Sequence, residues 1–182
     1  NWYRGKLNDK YNQENNMKKI ANLNIFVGTK EEYQRAVSQG MKIVCALNRA
    51  NGFVTHQSQV GWSGRGCNKD NPYYLFKEES DAIYLNMIDG DDPKYVIDEM
   101  INAALNFMKK HLDNNETIFI YCSLGESRSP SIALMYMLEH GLIESTNEVF
   151  RDFREKYYAN YQPKRGNAEY ISKRWLIKKN IF

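Results

Sequence analysis

Short apolar runs that alternate with helix signals are the feature of this sequence that most limits its fold. Four runs are apolar enough to form buried strands: NIFVG, MKIVCAL, AIYLNMI and TIFIY. Because strands that alternate with helices pair mostly in parallel, they predict an α/β fold whose central twisted sheet is mostly parallel and has helices on both faces. At 182 residues the chain is long enough to bury a substantial core, so residues 1–182 are predicted to form a single domain.

Caps and apolar periodicity predict where the helices begin and end. Thr29 and Glu32 have the spacing of a capping box, and Gly40 can end the helix that follows them. Residues 93–112 carry an apolar stripe at helical spacing, with Asp92 as the predicted N-cap. Three further helices are predicted. The first covers residues 130–140, the second begins at a capping box formed by Ser145 and Glu148, and the third covers residues 168–179.

Two segments lack this periodicity. Residues 1–19 are polar and are predicted to be a loosely ordered lead-in. Residues 50–74 contain four glycines and are predicted to be a long loop, a kind of segment that often has a function in compact domains. Its GWSGRG string lacks the Gly-Lys-Ser/Thr ending of a nucleotide-binding loop. Trp62, Arg65 and Lys69 would suit a phosphorylated partner, or they could simply belong to a solvated loop.

Charge and cysteine content argue against several classes of protein. The formal net charge of +3 is mild and favours neither nucleic acid nor membrane, although it is compatible with a basic cleft for a phosphorylated ligand. No apolar run approaches the roughly 18 residues of a membrane-spanning helix. Three cysteines without CxxC spacing argue against a disulfide framework and a zinc site, and the histidines are scattered, so no metal is expected. Free thiols suit a reducing compartment and predict a cytoplasmic protein. The residues concerned are Cys45, Cys67, Cys122, His56, His111 and His140.

The stretch IYCSLGESRSPS, residues 120–131, places a cysteine and an arginine on either side of a small polar loop. In parallel sheets ligands bind at the carboxyl ends of strands, and Cys122 follows the TIFIY strand. The loop and the start of the next helix offer backbone N–H groups to an anion, and the same field favours a thiolate over a thiol. The guanidinium of Arg128 can bind two phosphate oxygens at once. These groups suit attack on phosphorus; the alternative is a buried, unreactive cysteine.

The full string YCSLGESRSP resembles the phosphate-binding loop of the cysteine-dependent protein tyrosine phosphatase superfamily, in particular its dual-specificity branch, whose loop has the pattern His-Cys-x-x-Gly-x-Ser-Arg-Ser. IDGDDP is similar to the family's acid loop, Asp-Gly-x-x-Pro, and NYQPKRGNAEYISKRW is similar to its C-terminal ending. The resemblance implies a phosphatase fold with the phosphate-binding loop between a central strand and a helix. Residues 50–74 then look like an insertion near the substrate-facing edge.

The resemblance also implies roles for individual residues. Cys122 would be the nucleophile, Arg128 would hold the phosphate, and Asp89 would be the general acid. Ser129 would steady the sulfur as a leaving group, and it could also be a helix N-cap. The phosphate-binding residues would be Ser123, Leu124, Gly125, Glu126, Ser127 and Arg128, with Glu126 as an exposed rim residue.

Two points remain open at this stage. Asp91 and Asp92 compete with Asp89 for the acid role, although Asp92 is also the predicted N-cap and Asp91 could be solvated. Tyr121 stands where the family has a histidine that orders the loop and helps to keep the thiol ionised. A tyrosine cannot be cationic, and its hydroxyl can at most hold the backbone of the phosphate-binding loop in place.

The function that the resemblance implies is hydrolysis of phosphoesters through a cysteinyl-phosphate, without a cofactor. The expected partner is a phosphorylated protein or peptide bearing phosphotyrosine, with phosphoserine and phosphothreonine as a further class. Ser123, Leu124 and Glu126 occupy loop positions where lipid-directed members often carry lysine, which disfavours a polyphosphorylated ligand. The alternatives are a catalytically weak phosphopeptide-binding module and an RNA 5′-phosphatase of the same fold; no membrane and no other nucleic acid is expected.

Overall fold

A six-stranded sheet forms the centre of the computed structural model, which describes residues 17–176. The strands are β1 (Lys18–Lys19), β2 (Ile25–Thr29), β3 (Lys42–Cys45), β4 (Phe76–Glu78), β5 (Ala82–Leu85) and β6 (Ile118–Cys122). Their order across the sheet is β1-β2-β6-β3-β5-β4. The four inner strands pair in parallel, whereas β1 and β4 are antiparallel edges. The predicted α/β fold with a mostly parallel sheet is therefore confirmed.

Six α-helices accompany the sheet in the described part of the chain. They are α1 (Tyr33–Ser38), α2 (His56–Val60), α3 (Asp98–Asp113), α4 (Arg128–Glu139), α5 (Val149–Lys156) and α6 (Arg165–Ile171). Short 3₁₀ turns precede α1 and α3 at Lys30–Glu32 and Pro93–Tyr95, and a π-helical turn, Ser172–Leu176, follows α6. No helix within residues 17–176 has both the length and the apolar character needed to cross a bilayer.

The two faces of the sheet are covered by cores of different size. The larger core includes apolar residues of α3, α4, α5 and α6, and the smaller one includes Ala36 of α1 with Val54 packed against it. Strand β6 serves both cores because successive side chains of a strand point to opposite faces. Ile120 and Cys122 belong to the larger core and Tyr121 to the smaller one. The nucleophile candidate and the tyrosine before it therefore lie on opposite faces.

The predicted helix at 93–112 is divided in the structure. Asp92 accepts a hydrogen bond from the backbone N–H of Lys94 at 2.9 Å, so its prediction as an N-cap is confirmed, but it caps only the 3₁₀ turn. Ile97 is extended, with φ −97° and ψ 128°, and the regular helix begins at Asp98. The helix predicted at 130–140 begins two residues earlier, at Arg128.

Both predicted capping boxes are wrong. The Thr29 hydroxyl donates to the Glu32 carboxylate at 3.0 Å and makes no bond to the helix backbone. The Ser145 hydroxyl donates to the carbonyl of Trp175 at 2.7 Å, while the backbone N–H of Glu148 is bound by another side chain, the hydroxyl of Thr146, at 3.2 Å. In each case a tertiary or local side-chain partner competes with the cap.

The segment 50–74 is more regular than a long loop, because it contains α2. Thr55 and Ser58 form a reciprocal capping box, and Gly61 ends the helix with a φ of +88°. Whether this segment is an insertion stays a prediction. The helix predicted at 168–179 begins instead at Arg165, and its last three positions lie outside the described residues.

At the other end, most of the predicted lead-in, residues 1–16, also lies outside the described residues. The last two residues of the lead-in, Lys18–Lys19, form β1 and pair with Val27 and Phe26 of β2.

Candidate active site

The carboxyl ends of the four parallel strands meet at one edge of the sheet, and the candidate site lies there. Thr29 at the end of β2 pairs with Cys122 at the end of β6. The residues that follow these strands supply the polar groups: Lys30 after β2, Asn48 after β3 and Asp89 after β5. The location agrees with the rule that open α/β sheets bind ligands outside the carboxyl ends of their strands.

Between β6 and α4 the chain makes a tight loop whose shape depends on Gly125. This residue has a φ of +68°, which side chains other than glycine rarely adopt. A Cβ at this position would also lie 3.1 Å from the carbonyl oxygen of Gly28 and 3.2 Å from the hydroxyl of Tyr158. The Tyr158 hydroxyl donates to the Gly125 carbonyl at 2.7 Å and so holds the loop from behind.

Cys122 and Ser129 are neighbours at the base of the loop. The Cys122 Sγ lies 3.2 Å from the Ser129 Oγ, and that hydroxyl is also 3.2 Å from the carbonyl oxygen of Gly28. Only 3% of Cys122 and none of Ser129 is exposed. Ser129 is the second residue of α4, since Ser127 occupies the N-cap position, so the N-cap alternative for Ser129 is wrong. The Ser129 hydroxyl donates its one hydrogen to the Gly28 carbonyl, and it can turn to donate that hydrogen to a thiolate instead.

Arg128, the first residue of α4, is held by groups that follow two other strands. Its Nη1 donates to Asn48 Oδ1 at 3.2 Å and to the carbonyl oxygen of Met87 at 3.1 Å. The side chain is 9% exposed, and its buried Nε has no hydrogen-bond partner. A buried donor without a partner is costly, and a bound anion would supply an acceptor.

Nearly all of the predicted site residues line one pocket of about 190 Å³. Its lining consists of Asp89, Cys122, Ser123, Leu124, Glu126, Ser127, Arg128, Gln162 and Lys164. Leu124 is 69% exposed and forms an apolar rim, whereas Glu126 is only half-buried rather than exposed. Asp91 and Asp92 are exposed and absent from the lining, which favours Asp89 as the acid.

Asp89 is bound to the phosphate-binding loop itself. The hydroxyl of Ser127 donates to Asp89 Oδ1 at 2.7 Å, and the side-chain amide of Asn167 donates to the same oxygen at 3.0 Å. The sequence predicted Ser127 only as a backbone donor, and it did not predict Asn167 at all. The candidate acid and the candidate phosphate-binding residues therefore belong to one hydrogen-bond network.

Two lysines lie beside the loop, and the charge of one of them, Lys30, is paired with Glu31 at 3.1 Å. The Lys30 Nζ lies 3.4 Å from both the carbonyl oxygen and the hydroxyl of Ser123, and 4.9 Å from the centre of the Phe53 ring. Lys164 lines the pocket and donates its backbone N–H to Ser127 at 2.9 Å. Neither lysine was predicted, because both come from segments far from the loop in sequence.

A comparison with known protein families finds a match that includes both the sheet and the loop after β6. The family model of the dual-specificity phosphatase catalytic domain matches residues 25–164. The chain belongs to this family. A comparison with curated proteins finds no match.

Solved structures of phosphatases and of a phosphatase-like protein superpose on the chain, although their sequence identity to it is low. Human tyrosine phosphatase-like serine/threonine/tyrosine-interacting protein is 15% identical, with a TM-score of 0.59 over 86% of this chain and 93% of that one. Cydia pomonella PTP-2 phosphatase is 16% identical, with a TM-score of 0.58 over 87% and 89% of the two chains. Human DUSP28 is 13% identical, with a TM-score of 0.56 over 87% and 91%. These similarities establish the fold.

Tyr121, which replaces the family's histidine, points away from the pocket. It is fully buried and its hydroxyl donates to the carbonyl of Val54 at 2.7 Å. Its ring stacks on Phe119 and meets Tyr33 edge-on, with both pairs of ring centres 5.6 Å apart. Burial raises the pKa of Tyr121 far above its usual value, so the hydroxyl remains a donor. The expectation that it could hold the phosphate-binding loop is wrong, because it holds the segment around Val54 instead.

The other two cysteines lie outside the pocket lining. Cys45 is fully buried, and its Sγ lies 3.5 Å from the carbonyl oxygen of Leu47. Burial raises the pKa of Cys45 to about 11, which keeps the thiol protonated and unreactive. Cys67 is partly exposed in the 50–74 segment, and desolvation raises its pKa as well.

Proposed function

We propose that this protein hydrolyses phosphoesters through a cysteinyl-phosphate at Cys122, as a dual-specificity-type protein phosphatase. The observation that carries the proposal is the single pocket lined by Cys122, Arg128 and Asp89, with Ser129 Oγ 3.2 Å from the sulfur. A nucleophile, a fixed cation and a proton donor are the three groups that this chemistry requires. Membership of the dual-specificity phosphatase family supports the same reaction.

In the first step the Cys122 thiolate attacks phosphorus and a sulfur–phosphorus bond forms. The bond between phosphorus and the leaving oxygen breaks, and that oxygen takes the proton of Asp89. The loop N–H groups and Arg128 bind the equatorial oxygens, where negative charge is held during the transfer. Because Arg128 is already fixed by Asn48 and the Met87 carbonyl, little reorganisation is needed.

In the second step water attacks the phosphorus of the cysteinyl-phosphate. The Asp89 carboxylate accepts a proton from this water, the sulfur–phosphorus bond breaks, and inorganic phosphate and the Cys122 thiolate are the products. The hydroxyl of Ser129 stabilises the departing sulfur by donating a hydrogen bond to it. Neither step of the proposed reaction uses a cofactor.

The proposed substrate is a phosphorylated protein or peptide bearing phosphotyrosine, with phosphoserine and phosphothreonine as a further class. The exposed Leu124 offers an apolar surface at the rim, and Lys164 offers a charge for an acidic neighbour of the phosphorylated residue. We place this activity in the cytoplasm, because free cysteines are typical of a reducing compartment.

Hydrolysis of p-nitrophenyl phosphate and rapid-quench trapping of the phosphorylated enzyme test the proposal. The wild type is expected to turn over and to carry phosphate on Cys122. Cys122→Ser should abolish both signals, and Arg128→Lys should lose most of the activity because an ammonium cannot bind two oxygens at fixed geometry. Cys67→Ser is the matched control and should behave as the wild type.

Three results would contradict the proposal. Binding of phosphotyrosine peptides without turnover would identify a binding module. Phosphate release from a triphosphorylated oligonucleotide, but not from peptides, would identify an RNA 5′-phosphatase. Turnover that survives Cys122→Ser would exclude this nucleophile.

A further inference from the structure

Asn167 has a buried side-chain amide whose nitrogen is hydrogen-bonded and whose oxygen is not. It lies in α6 and none of it is exposed. Its Nδ2 donates to Asp89 Oδ1 at 3.0 Å and to Ser127 Oγ at 2.9 Å, whereas its Oδ1 is buried without a partner. The opposite orientation of the amide would bring its oxygen against Asp89 Oδ1, so that two acceptors would face each other. The orphaned oxygen costs stability, and such a cost in a native fold calls for an explanation.

The hydrogen bonds of Ser127 fix where its proton goes. Its Oγ accepts from Asn167 Nδ2 at 2.9 Å and from the backbone N–H of Lys164 at 2.9 Å. A hydroxyl has two lone pairs and one hydrogen, so these two bonds leave only the hydrogen, which is donated to Asp89 Oδ1 at 2.7 Å. Both Ser127 and Asn167 therefore donate to the same carboxylate oxygen.

We propose that Asn167 is a positioning residue for the general acid. With two donors on Oδ1, the transferable proton of Asp89 is carried by Oδ2, which is the oxygen left for the substrate's leaving group. Asn167 thereby selects the reactive oxygen and fixes the carboxyl plane against the phosphate-binding loop. This inference rests on the proposed function, because it assigns a role within the first step of that reaction.

The neighbouring Gly166 supports the same arrangement through the backbone. Its N–H donates to the carbonyl of Gly90 at 3.1 Å. A Cβ on Gly166 would lie 2.4 Å from the Gly90 oxygen and 2.9 Å from the Asp92 oxygen, both of them backbone atoms. The start of α6 therefore packs directly on the segment that carries Asp89. The acid segment is held at its side chain by Asn167 and at its main chain by Gly166.

The test compares aryl phosphates with good and poor leaving groups in Asn167→Leu, which keeps the branching and the number of heavy atoms and removes the donor. Its matched control is Ser131→Ala, which removes another buried hydrogen bond, the one between the hydroxyls of Ser131 and Tyr161 at 2.8 Å, without touching Asp89. We expect kcat/KM of Asn167→Leu, which reports only the first step, to fall about tenfold to a hundredfold for phenyl phosphate, less than the full worth of a proton donor of about 10²–10⁴. The loss for dinitrophenyl phosphate should be less than about threefold, because a good leaving group needs little protonation. Ser131→Ala should change kcat/KM by the same factor for both substrates.

A second variant guards against a simple folding defect. Asn167→Asp keeps the shape of the side chain and places a second carboxylate beside Asp89. Two adjacent carboxylates repel each other when both are charged, so the pair releases its shared proton at a higher pH. The basic limb of the pH profile of kcat/KM should therefore move to higher pH in this variant. Equal losses on both leaving groups in Asn167→Leu, or an unshifted basic limb in Asn167→Asp, would overturn the inference.

Amide hydrogen exchange separates this inference from the proposed function. The amide of Gly166, which donates to the Gly90 carbonyl at 3.1 Å, should exchange faster in Asn167→Leu than in Ser131→Ala and in the wild type. If the wild type hydrolyses no aryl phosphate, the proposed function fails, and this measurement alone decides whether Asn167 holds the acid segment. Unchanged exchange at Gly166 would then overturn the positioning role, and faster exchange there would support it.

Discussion

His56 is expected to make the protein less stable at mildly acidic pH. Its Nδ1 accepts a hydrogen bond from the indole N–H of Trp62 at 2.9 Å, and its Nε2 lies 2.6 Å from the carbonyl oxygen of Tyr73. An indole only donates and a carbonyl only accepts, so the ring must be neutral with its hydrogen on Nε2. A second proton would place two N–H groups face to face. The ring is also fully buried, and this burial lowers the pKa of His56.

The size of the effect follows from proton linkage. An unfolded histidine has a pKa of about 6.5. Because the folded state has a lower value, it binds fewer protons than the unfolded state at acidic pH. The stabilisation is complete above about pH 6.5 and is lost as the pH falls toward the folded pKa, by at most about 1.4 kcal/mol per pH unit. Between pH 7.5 and 5.5, the free energy of unfolding should therefore fall by up to about 1.4 kcal/mol through this residue.

Urea unfolding at pH 7.5 and 5.5 measures this difference. His56→Gln removes the titrating group, and His140→Gln, an exposed histidine at the end of α4, is the matched control. The carboxylates are the same in all three proteins, so their contribution to the pH dependence cancels in the comparison. His56→Gln should lose less stability on acidification than the wild type and His140→Gln. An identical pH dependence in the wild type and His56→Gln would refute the reasoning.

Two further predictions concern the acid and the tyrosine before the nucleophile. Asp89→Asn should lower kcat/KM, which reports only the first step, by about 10²–10⁴ for aryl phosphates with poor leaving groups and by less for those with good ones, whereas the same dependence in Asp91→Asn would move the acid by two residues. Tyr121→Phe should lower the free energy of unfolding by about 1 kcal/mol, because it removes the hydroxyl donor of the half-buried Val54 carbonyl, while kcat changes less than about twofold. A large fall in kcat with unchanged stability would show that the hydroxyl acts on the site.

The sequence predicted the inner strands and missed the two edges for one physical reason. β2, β3, β5 and β6 are largely buried, so most of their residues are apolar. β1 has two residues, both exposed lysines, and β4 has three residues, none of them fully buried. Edge strands this short carry no hydrophobic pattern, and only their pairing partners reveal them.

The residues of the candidate site also fall into two groups, those that the sequence predicted and those that it missed. Cys122, the loop and Arg128 are consecutive in sequence, so one short string contains the proposed nucleophile, the proposed anion-binding loop and the cation. Asn48 and Asn167, which hold Arg128 and Asp89, come from distant segments. Asparagine is common in loops and on surfaces, and nothing near these two positions distinguishes them from such residues. Their roles depend on tertiary contacts that the sequence does not contain in local form.

Successive side chains of β6 point to opposite faces of the sheet, and this affects how the sequence of this protein can diverge. Cys122 faces the larger core, and Tyr121 faces the smaller one, where its partners are Tyr33, Phe119 and the Val54 carbonyl. Substitutions at position 121 are therefore constrained by that aromatic cluster, while the lining of the pocket is constrained separately by the ligand. The two faces of one strand can accumulate changes independently, which is how a tyrosine can occupy this position beside an intact phosphate-binding loop. Across homologues, the identity of residue 121 should covary with positions 33, 54 and 119, and not with the residues of the pocket.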